Sequence, residues 1–507
     1  MTERGKKIGA VILGLLALGM LTAAAQGPKT RAQAYVNRIA RQEPLKGTVW
    51  GVLAMNSRGD TLARWNPGIR MVPASNMKLI TTGAALHALG GNFQFETSLG
   101  YSGEIKDGTL QGDLYIIGGG DPTIAAPDSI AISSFTLFSR WKNFLLRAGI
   151  KRIEGRIIGD GRWFDGPIEH QKWNWEDLGT DYGAGGNGLC YYENQKEFAV
   201  SAGWKVGEPV SWREGTPETP WMNYTCTGVT ATAGTGDELY LFTTDLAPVG
   251  EIRGTFAIDR KARTEHFSNK FGALTCAYHF YKFLVKGGIV ATGGPADITS
   301  RGLIRAGFET PPSERAVPQD SLRRIGKTYS PSLGRICRET NHRSDNFYAE
   351  TLLRTLGRRT HSVDNYDTCR VALRSVLKDL GVDDAGGLII SDGSGLSRTN
   401  SLSPAFMVRF LSAMRRSPAW NDYLAGLPIP GANGTMRTVL PNLPQETKDR
   451  IHLKSGSMNG VLCYSGYITP KEGQKETIYF SILTNNADVA ASKMRPVITQ
   501  IIALLAE

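Results

Sequence analysis

Ser75-Asn76-Met77-Lys78, Ser344-Asp345-Asn346 and Lys454-Ser455-Gly456 stand in that order along a 507-residue chain, and together they supply the parts of a nucleophilic acyl transfer. A serine hydroxyl is a weak nucleophile until a base takes its proton. A lysine three residues further along a helix shares the serine's face and can be that base when it is neutral. Desolvation and a second ammonium both lower a lysine's pKa, and Lys454 can be the second cation. The expected roles are Ser75 as nucleophile, Lys78 as general base, and Ser344 with Lys454 as the proton relay to the leaving group. The Asn346 amide would hold the lysine or the substrate amide, and the Ser455 hydroxyl a substrate carboxylate beside Lys454. Gly456 would leave room for a substrate backbone at a strand edge, and the N–H groups of Ser75 and Ser457 would form an oxyanion hole.

Taken singly, each motif is weak. Ser139-Arg140-Trp141-Lys142 and Ser375-Val376-Leu377-Lys378 also fit S-x-x-K, and Ser457-Met458-Asn459 fits S-x-N. Their contexts differ. Ser139 and Ser375 fall inside amphipathic helical stretches whose lysines face solvent. Pro73-Ala74 precede Ser75 and the almost uncharged run 77–89 follows, which puts Ser75 in the first turn of a buried helix, where the helix N-terminus favours the charge of an oxyanion. The spacing predicts Ser344-Asp345-Asn346 at a loop tip between helices 332–343 and 347–356, and Lys454 on a strand just before a second strand, 461–468. A helix cap, a second cap and an ordinary edge strand would explain the motifs one at a time. Three in this order, each in a fitting context, point to a site.

The elements that must position it come from both ends of the chain. Residues 31–45 read as an amphipathic helix, and 48–55 with 61–65 as a hairpin around Ser57-Arg58-Gly59-Asp60. Runs 452–457, 461–468 and 477–484 are three more strands, followed by a helix with Met494, Ile498, Ile501 and Ile502 on its apolar side. Two early and three late strands predict one five-stranded antiparallel sheet flanked by helices, with a helical lobe: an α+β fold. About 270 residues separate Ser75 from Ser344, far more than the lobe requires. Short strands and Gly/Pro turns from 93 to 252 predict a large β-rich insertion, as one unit or as two nested units. The expected division is a catalytic unit of 26–95 and 265–507 and an insertion of 96–264.

At the N-terminus Arg4, Lys6 and Lys7 precede an apolar run, 8–21, and Thr22-Ala23-Ala24-Ala25, the pattern of a secretory signal peptide spanning 1–25. That run is shorter than the ~20 residues a spanning helix needs. The expectation is an exported protein with no membrane span once the leader is cut, in the periplasm or on the outer face of the cytoplasmic membrane. Net charge is +11, a balance suited to an anionic envelope, with no basic cluster interleaved with aromatics, so nucleic acid is not an expected partner. Six cysteines without any C-x-x-C pair give zinc no support and read mostly as buried thiols. Neither H-E-x-x-H nor G-x-S-x-G occurs, which excludes the common metallopeptidase and α/β-hydrolase patterns. No metal and no cofactor is expected.

With its three motifs, Gly112-Asp113-Leu114, Gly119-Gly120-Asp121-Pro122-Thr123, the run from Asp392-Gly393-Ser394-Gly395 to Arg398, and Lys454-Ser455-Gly456-Ser457-Met458-Asn459-Gly460-Val461, the chain resembles the penicillin-binding protein 4-type D-alanyl-D-alanine carboxypeptidase/endopeptidase family of serine peptidases. Ser455 departs from the commoner Thr but keeps the hydroxyl. The resemblance implies a penicillin-binding transpeptidase-like domain, removal of terminal D-Ala from peptidoglycan stem peptides, cleavage of D-Ala cross-links, and acylation of the same serine by β-lactams. It also implies that an insertion Asp meets the free amino-acid end of a diaminopimelate side chain. Asp177, in Trp173-Asn174-Trp175-Glu176-Asp177, is the nearest match, with Glu176 beside it. Two other readings stay open. One is a catalytically weak penicillin-binding or envelope-binding module. The other is a β-lactamase-like hydrolase, which would need a Glu-activated water and has no place for the insertion.

Overall fold

The computed structural model describes residues 30–164, 166–299, 302–303, 317–361, 365–382, 386–432 and 434–507, so the leader at 1–25 lies outside the described residues. Five antiparallel strands form the catalytic sheet in the order Thr61–Trp65, Val49–Asn56, Ile478–Asn485, Val461–Ile468 and Ile451–Met458. The two ends of the chain meet there, with Trp50 opposite Thr484 and Gly51 opposite Leu483. Period-two alternation sorts the strand side chains between two cores. Val52, Leu462 and Ile482 pack with Val36, Ile498 and Ile502 of helices Arg31–Ile39 and Ala491–Ala506. Leu53, Cys463 and Leu483 face the helical lobe. Val461–Ile468 is buried along its whole length because both its faces are covered. The N-terminal helix stops at Ile39 rather than 45, and the chain continues through turns to Gly47.

Helix Met77–Leu89 runs through the middle of the lobe against Asn346–His361 and Tyr366–Asp379. A helix apolar on every side is stable only in such a place. Both rival S-x-x-K pairs lie on other helices: Ser375 and Lys378 are exposed, and Lys142 donates to Gly287 O at 2.6 Å.

The insertion holds three apolar clusters among the described residues, one of them built on Tyr115, Ile158 and Ile298. Strands Leu114–Ile117, Ile157–Asp160 and Pro295–Thr299 pair in parallel, with helices Ser134–Arg147 and Gly272–Lys286 packed alongside. Nested within this unit, strands between Gln195 and Ser268 surround Phe198, Leu241, Ile252 and Phe256. The outer unit is thus mixed α/β rather than simply β-rich. Its last strand, Arg323–Tyr329, pairs with its first, Glu96–Tyr101, and Ser330 Oγ accepts from Phe95 N–H at the seam. The expected return at 265 is therefore too early. The periodicity of helix Gly272–Lys286 suggests a place in the catalytic lobe, but the helix packs on the insertion, with Phe280 edge-on to Trp141 at 5.2 Å. Amphipathic spacing shows that a face is buried, not what buries it. Among the described residues no helix is long and apolar enough to cross a membrane.

Candidate active site

Ser75 lies in one tight helical turn, Ala74–Asn76, that leads into Met77–Leu89. Two glycines let this turn in. A Cβ on Gly456 would sit 2.9 Å from the N atoms of both Ser75 and Asn76, and one on Gly395 would overlap Ala74 O. The expected reason for Gly456, room for a substrate backbone, is thus corrected: the backbone of Pro73, Ser75 and Asn76 fills that space. Asn76 Nδ2 donates to Lys454 O at 3.2 Å, tying the turn to the sheet. Ala74, at φ +45°, adopts a backbone that non-glycine residues rarely take, and it is held by these contacts on both sides.

Lys78 is wholly buried and its Nζ has three neighbours: Ser75 Oγ at 3.0 Å, Asn346 Oδ1 at 2.5 Å and Ser394 O at 2.8 Å. Burial lowers its pKa to about 8, partly offset by the carboxylates of Asp345, Glu350 and Asp392. The geometry suits both protonation states. A neutral amine spends its two N–H groups on Asn346 and Ser394, and its lone pair is left facing the Ser75 hydroxyl. After proton transfer, the third N–H points back at the serine oxygen without any heavy atom moving.

Ser344 is not at a loop tip. It ends a widened helical turn, Thr340–Ser344, between helices Leu333–Glu339 and Asn346–His361, and its φ of +62° turns the chain sharply into the second helix. Its Oγ accepts from Lys454 Nζ at 2.9 Å. Asn346 opens the next helix and bridges two parts of the molecule, accepting from Lys78 and donating to Tyr182 O of the insertion at 3.0 Å.

Lys454 is also wholly buried, and its Nζ donates to Ser344 Oγ and, at 2.8 Å, to Ser455 O. Burial first, then the nearby Lys78 charge, pushes its pKa well below that of an ordinary lysine. Its strand, Ile451–Met458, is the sheet's edge. Leu453 N–H turns outward to Pro428 O, so by the two-residue period Ser455 and Ser457 also direct their N–H groups to the free edge.

A cavity of about 610 Å³ opens over Ser75, lined by Ser344, Asn346 and Ser457 on one side and Asp177 and Tyr182 on the other. Burial raises the Asp177 pKa, opposed by the Tyr182 hydroxyl, which donates to it at 3.2 Å, and by Arg398, which also lines the cavity. Glu176 is there too. The structure therefore brings together Ser75, Lys78, Ser344, Asn346, Lys454, Ser457 and Asp177. Ser455 and Gly456 are adjacent but do not line the cavity.

Sequence reasoning misses the residues that hold the lysine's third acceptor. Glu350 accepts from the N–H groups of Gly393 and Ser394, and Asp392 from Gly395, Ser397, Asn400 and Trp173. Both carboxylates are buried, and Glu350 is raised to about 7 by burial and by Asp392. The Gly-Ser-Gly run is visible as a turn, yet no spacing marks a main-chain carbonyl as a lysine's partner. All six cysteines are free, five of them buried and Cys226 partly so.

The sequence pattern of the D-Ala-D-Ala carboxypeptidase 3 (S13) family matches residues 32–507. A D-alanyl-D-alanine carboxypeptidase from Actinomadura sp. (strain R39) is 28% identical, covering 89% of this chain and 80% of its own. The D-alanyl-D-alanine carboxypeptidase DacB of Haemophilus influenzae is 25% identical over 88% of this chain and 87% of its own. The crystal structure of penicillin binding protein 4 (dacB) from H. influenzae superposes with a TM-score of 0.76 at 24% identity, covering 93% of this chain and 98% of that one. The same protein in complex with a β-lactam gives a TM-score of 0.70 at 23% identity, with the same coverage.

Proposed function

Because the chain belongs to the D-Ala-D-Ala carboxypeptidase 3 (S13) family of serine peptidases, we propose that it hydrolyses D-Ala-D-Ala termini, and D-Ala cross-links, of peptidoglycan stem peptides through an acyl-enzyme on Ser75. The observation that carries this reading is the setting of Lys78, a buried amine near pKa 8 whose remaining partner is the Ser75 hydroxyl. Ser75 Oγ attacks the carbonyl carbon of the penultimate D-Ala while its proton passes to Lys78 Nζ. The developing oxyanion meets the N–H groups of Ser75 and Ser457. As the C–N bond breaks, the leaving nitrogen takes a proton through Ser344 from the lysine pair, and water then hydrolyses the ester.

The free edge at 455–457, with Lys454 and the Ser455 hydroxyl, is assigned to the substrate's terminal carboxylate. Asp177 is assigned to the ammonium of a diaminopimelate end, and Arg398 across the same cavity suits that end's carboxylate. A β-lactam offers a strained acyl carbon with a carboxylate beside it, so the same serine would be acylated by it. The leader at 1–25 and this substrate together support export to the periplasm or the outer face of the cytoplasmic membrane. The test is incubation with a fluorescent penicillin and peptide mapping, followed by assay of D-Ala release from a pentapeptide. An adduct on Ser75 and D-Ala release lost in Ser75→Ala are expected. No adduct would sink the acyl-enzyme reading, and an adduct without D-Ala release would favour a penicillin-binding module.

A further inference from the structure

Arg343, next to Ser344, is gripped by a carboxylate from the insertion. Glu193 is wholly buried and takes the guanidinium in two bonds, Nη1 to Oε1 at 2.7 Å and Nη2 to Oε2 at 2.8 Å. Such paired bonds fix direction as well as distance. Asp128 and Asp345 stand 3.3 Å from the same guanidinium, and the Tyr348 hydroxyl donates to Asp128 at 2.5 Å. The Glu193 carboxylate is delivered by an unusual piece of backbone. Tyr192, Glu193 and Asn194 have φ of +56°, +53° and +51°, three successive non-glycine residues in the left-handed region. Such a run persists only where its surroundings determine it. Here Tyr192 N–H donates to Ile124 O, Asn194 Nδ2 to Gly185 O and Asn269 N–H to Asn194 O.

Tyr191 and Tyr192 of this turn pack in the insertion's outer core, whereas Glu193 binds Arg343 of the lobe with both carboxylate oxygens. It faces another strained turn. Ser344 is itself left-handed, and the segment from Arg343 to Asn346 carries the contact to Lys454 on one side and the contact to Lys78 on the other. A small displacement of this segment would break both. We propose that Glu193 is a positioning residue of the insertion, which through Arg343 holds Ser344 and Asn346 in register with the two lysines. The insertion would thereby be part of the proton-transfer apparatus as well as a wall of the substrate cavity.

This inference rests on the acyl-enzyme reading for its kinetic arm and is independent of it for its structural arm. In the mature protein, Glu193→Gln keeps the side chain's shape but replaces one acceptor with a donor that opposes the guanidinium. Stopped-flow acylation by a chromogenic β-lactam should show the acylation rate constant falling tenfold or more, with the initial dissociation constant within twofold. Arg343→Met should do the same, and the double variant should be no worse than either single one. Hydrogen exchange should quicken at 340–348 and stay unchanged on strand Ile451–Met458. Acylation within twofold of the parent, additive losses, or faster exchange spread equally over both segments would overturn the proposal. A parent protein that forms no adduct would defeat the acyl-enzyme reading, and the exchange comparison would still decide whether the clamp exists.

Discussion

Lys78 and Lys454 are both fully buried and both end on a serine hydroxyl, yet their surroundings prepare them for different tasks. Around Lys78 there are three acceptors and three carboxylates that favour its charged form. Around Lys454 there are two acceptors, Ser344 Oγ and Ser455 O, and the charge that bears on it is the repulsive one of Lys78. Two acceptors match the two N–H groups of a neutral amine, and three match an ammonium. With fewer acceptors and a repulsive charge beside it, Lys454 gives up its proton before Lys78 does. On the proposed mechanism, a substrate carboxylate at the sheet edge would supply Lys454 with both a third acceptor and a counter-charge and so favour its protonation. That new cation would lower the Lys78 pKa, so that binding of the right terminus would itself free the proposed base.

The largest effects test the first half of this contrast. Lys78→Met should remove the base while leaving Ser75 in place, cutting acylation by a β-lactam by roughly 10²–10⁴-fold, the usual worth of a positioned general base. Lys454→Met should act differently. Its loss should be greatest for substrates ending in a free carboxylate and smaller for the corresponding C-terminal amides, which lack that charge and lose only the relay. Parallel kcat/KM measurements on a pentapeptide and its amide give the comparison directly. Equal losses on both would mean that Lys454 serves only the proton relay. A third variant, Gly456→Ala, probes the floor beneath both lysines. The added methyl would press on the backbone of Pro73, Ser75 and Asn76, so it should cost about 1–3 kcal/mol by overpacking and lower Tm along with acylation.

Much of this contrast is legible in the amino-acid sequence. Serine and lysine types at a spacing of three, an apolar helix behind them and an edge strand bearing the second lysine are enough to group Ser75, Lys78, Ser344 and Lys454 in one site. The sheet is legible too, because the apolar runs 48–55 and 461–468, each followed by a turn, are a local signal. What stays hidden is non-local. Ser394 acts through its carbonyl, Glu350 through two main-chain amides, and Glu193 from a turn about 150 residues away from Arg343. No side-chain type or spacing advertises such roles. The insertion's boundary is hidden for a related reason: Gly272–Lys286 has the same amphipathic pattern whichever core it covers.

The smallest expected effect separates the two lysines by titration. If Lys78 is the base, acylation of the free enzyme rises as pH increases through about 8, because the ammonium must first lose its proton. Glu350 is one of the carboxylates that hold that proton in place. Glu350→Gln removes the charge yet retains an oxygen able to accept from Ser394 N–H, so the loop that presents the Ser394 carbonyl keeps its support. A cation deprived of a counter-charge releases its proton more readily, and the midpoint should therefore move to lower pH. The rate at high pH should change little, since there the amine is already neutral in both proteins. The charge acting on Lys454 is that of Lys78 rather than a carboxylate, so a profile governed by Lys454 would not move with Glu350. A midpoint that stays fixed in Glu350→Gln, or moves upward, would take the base assignment away from Lys78.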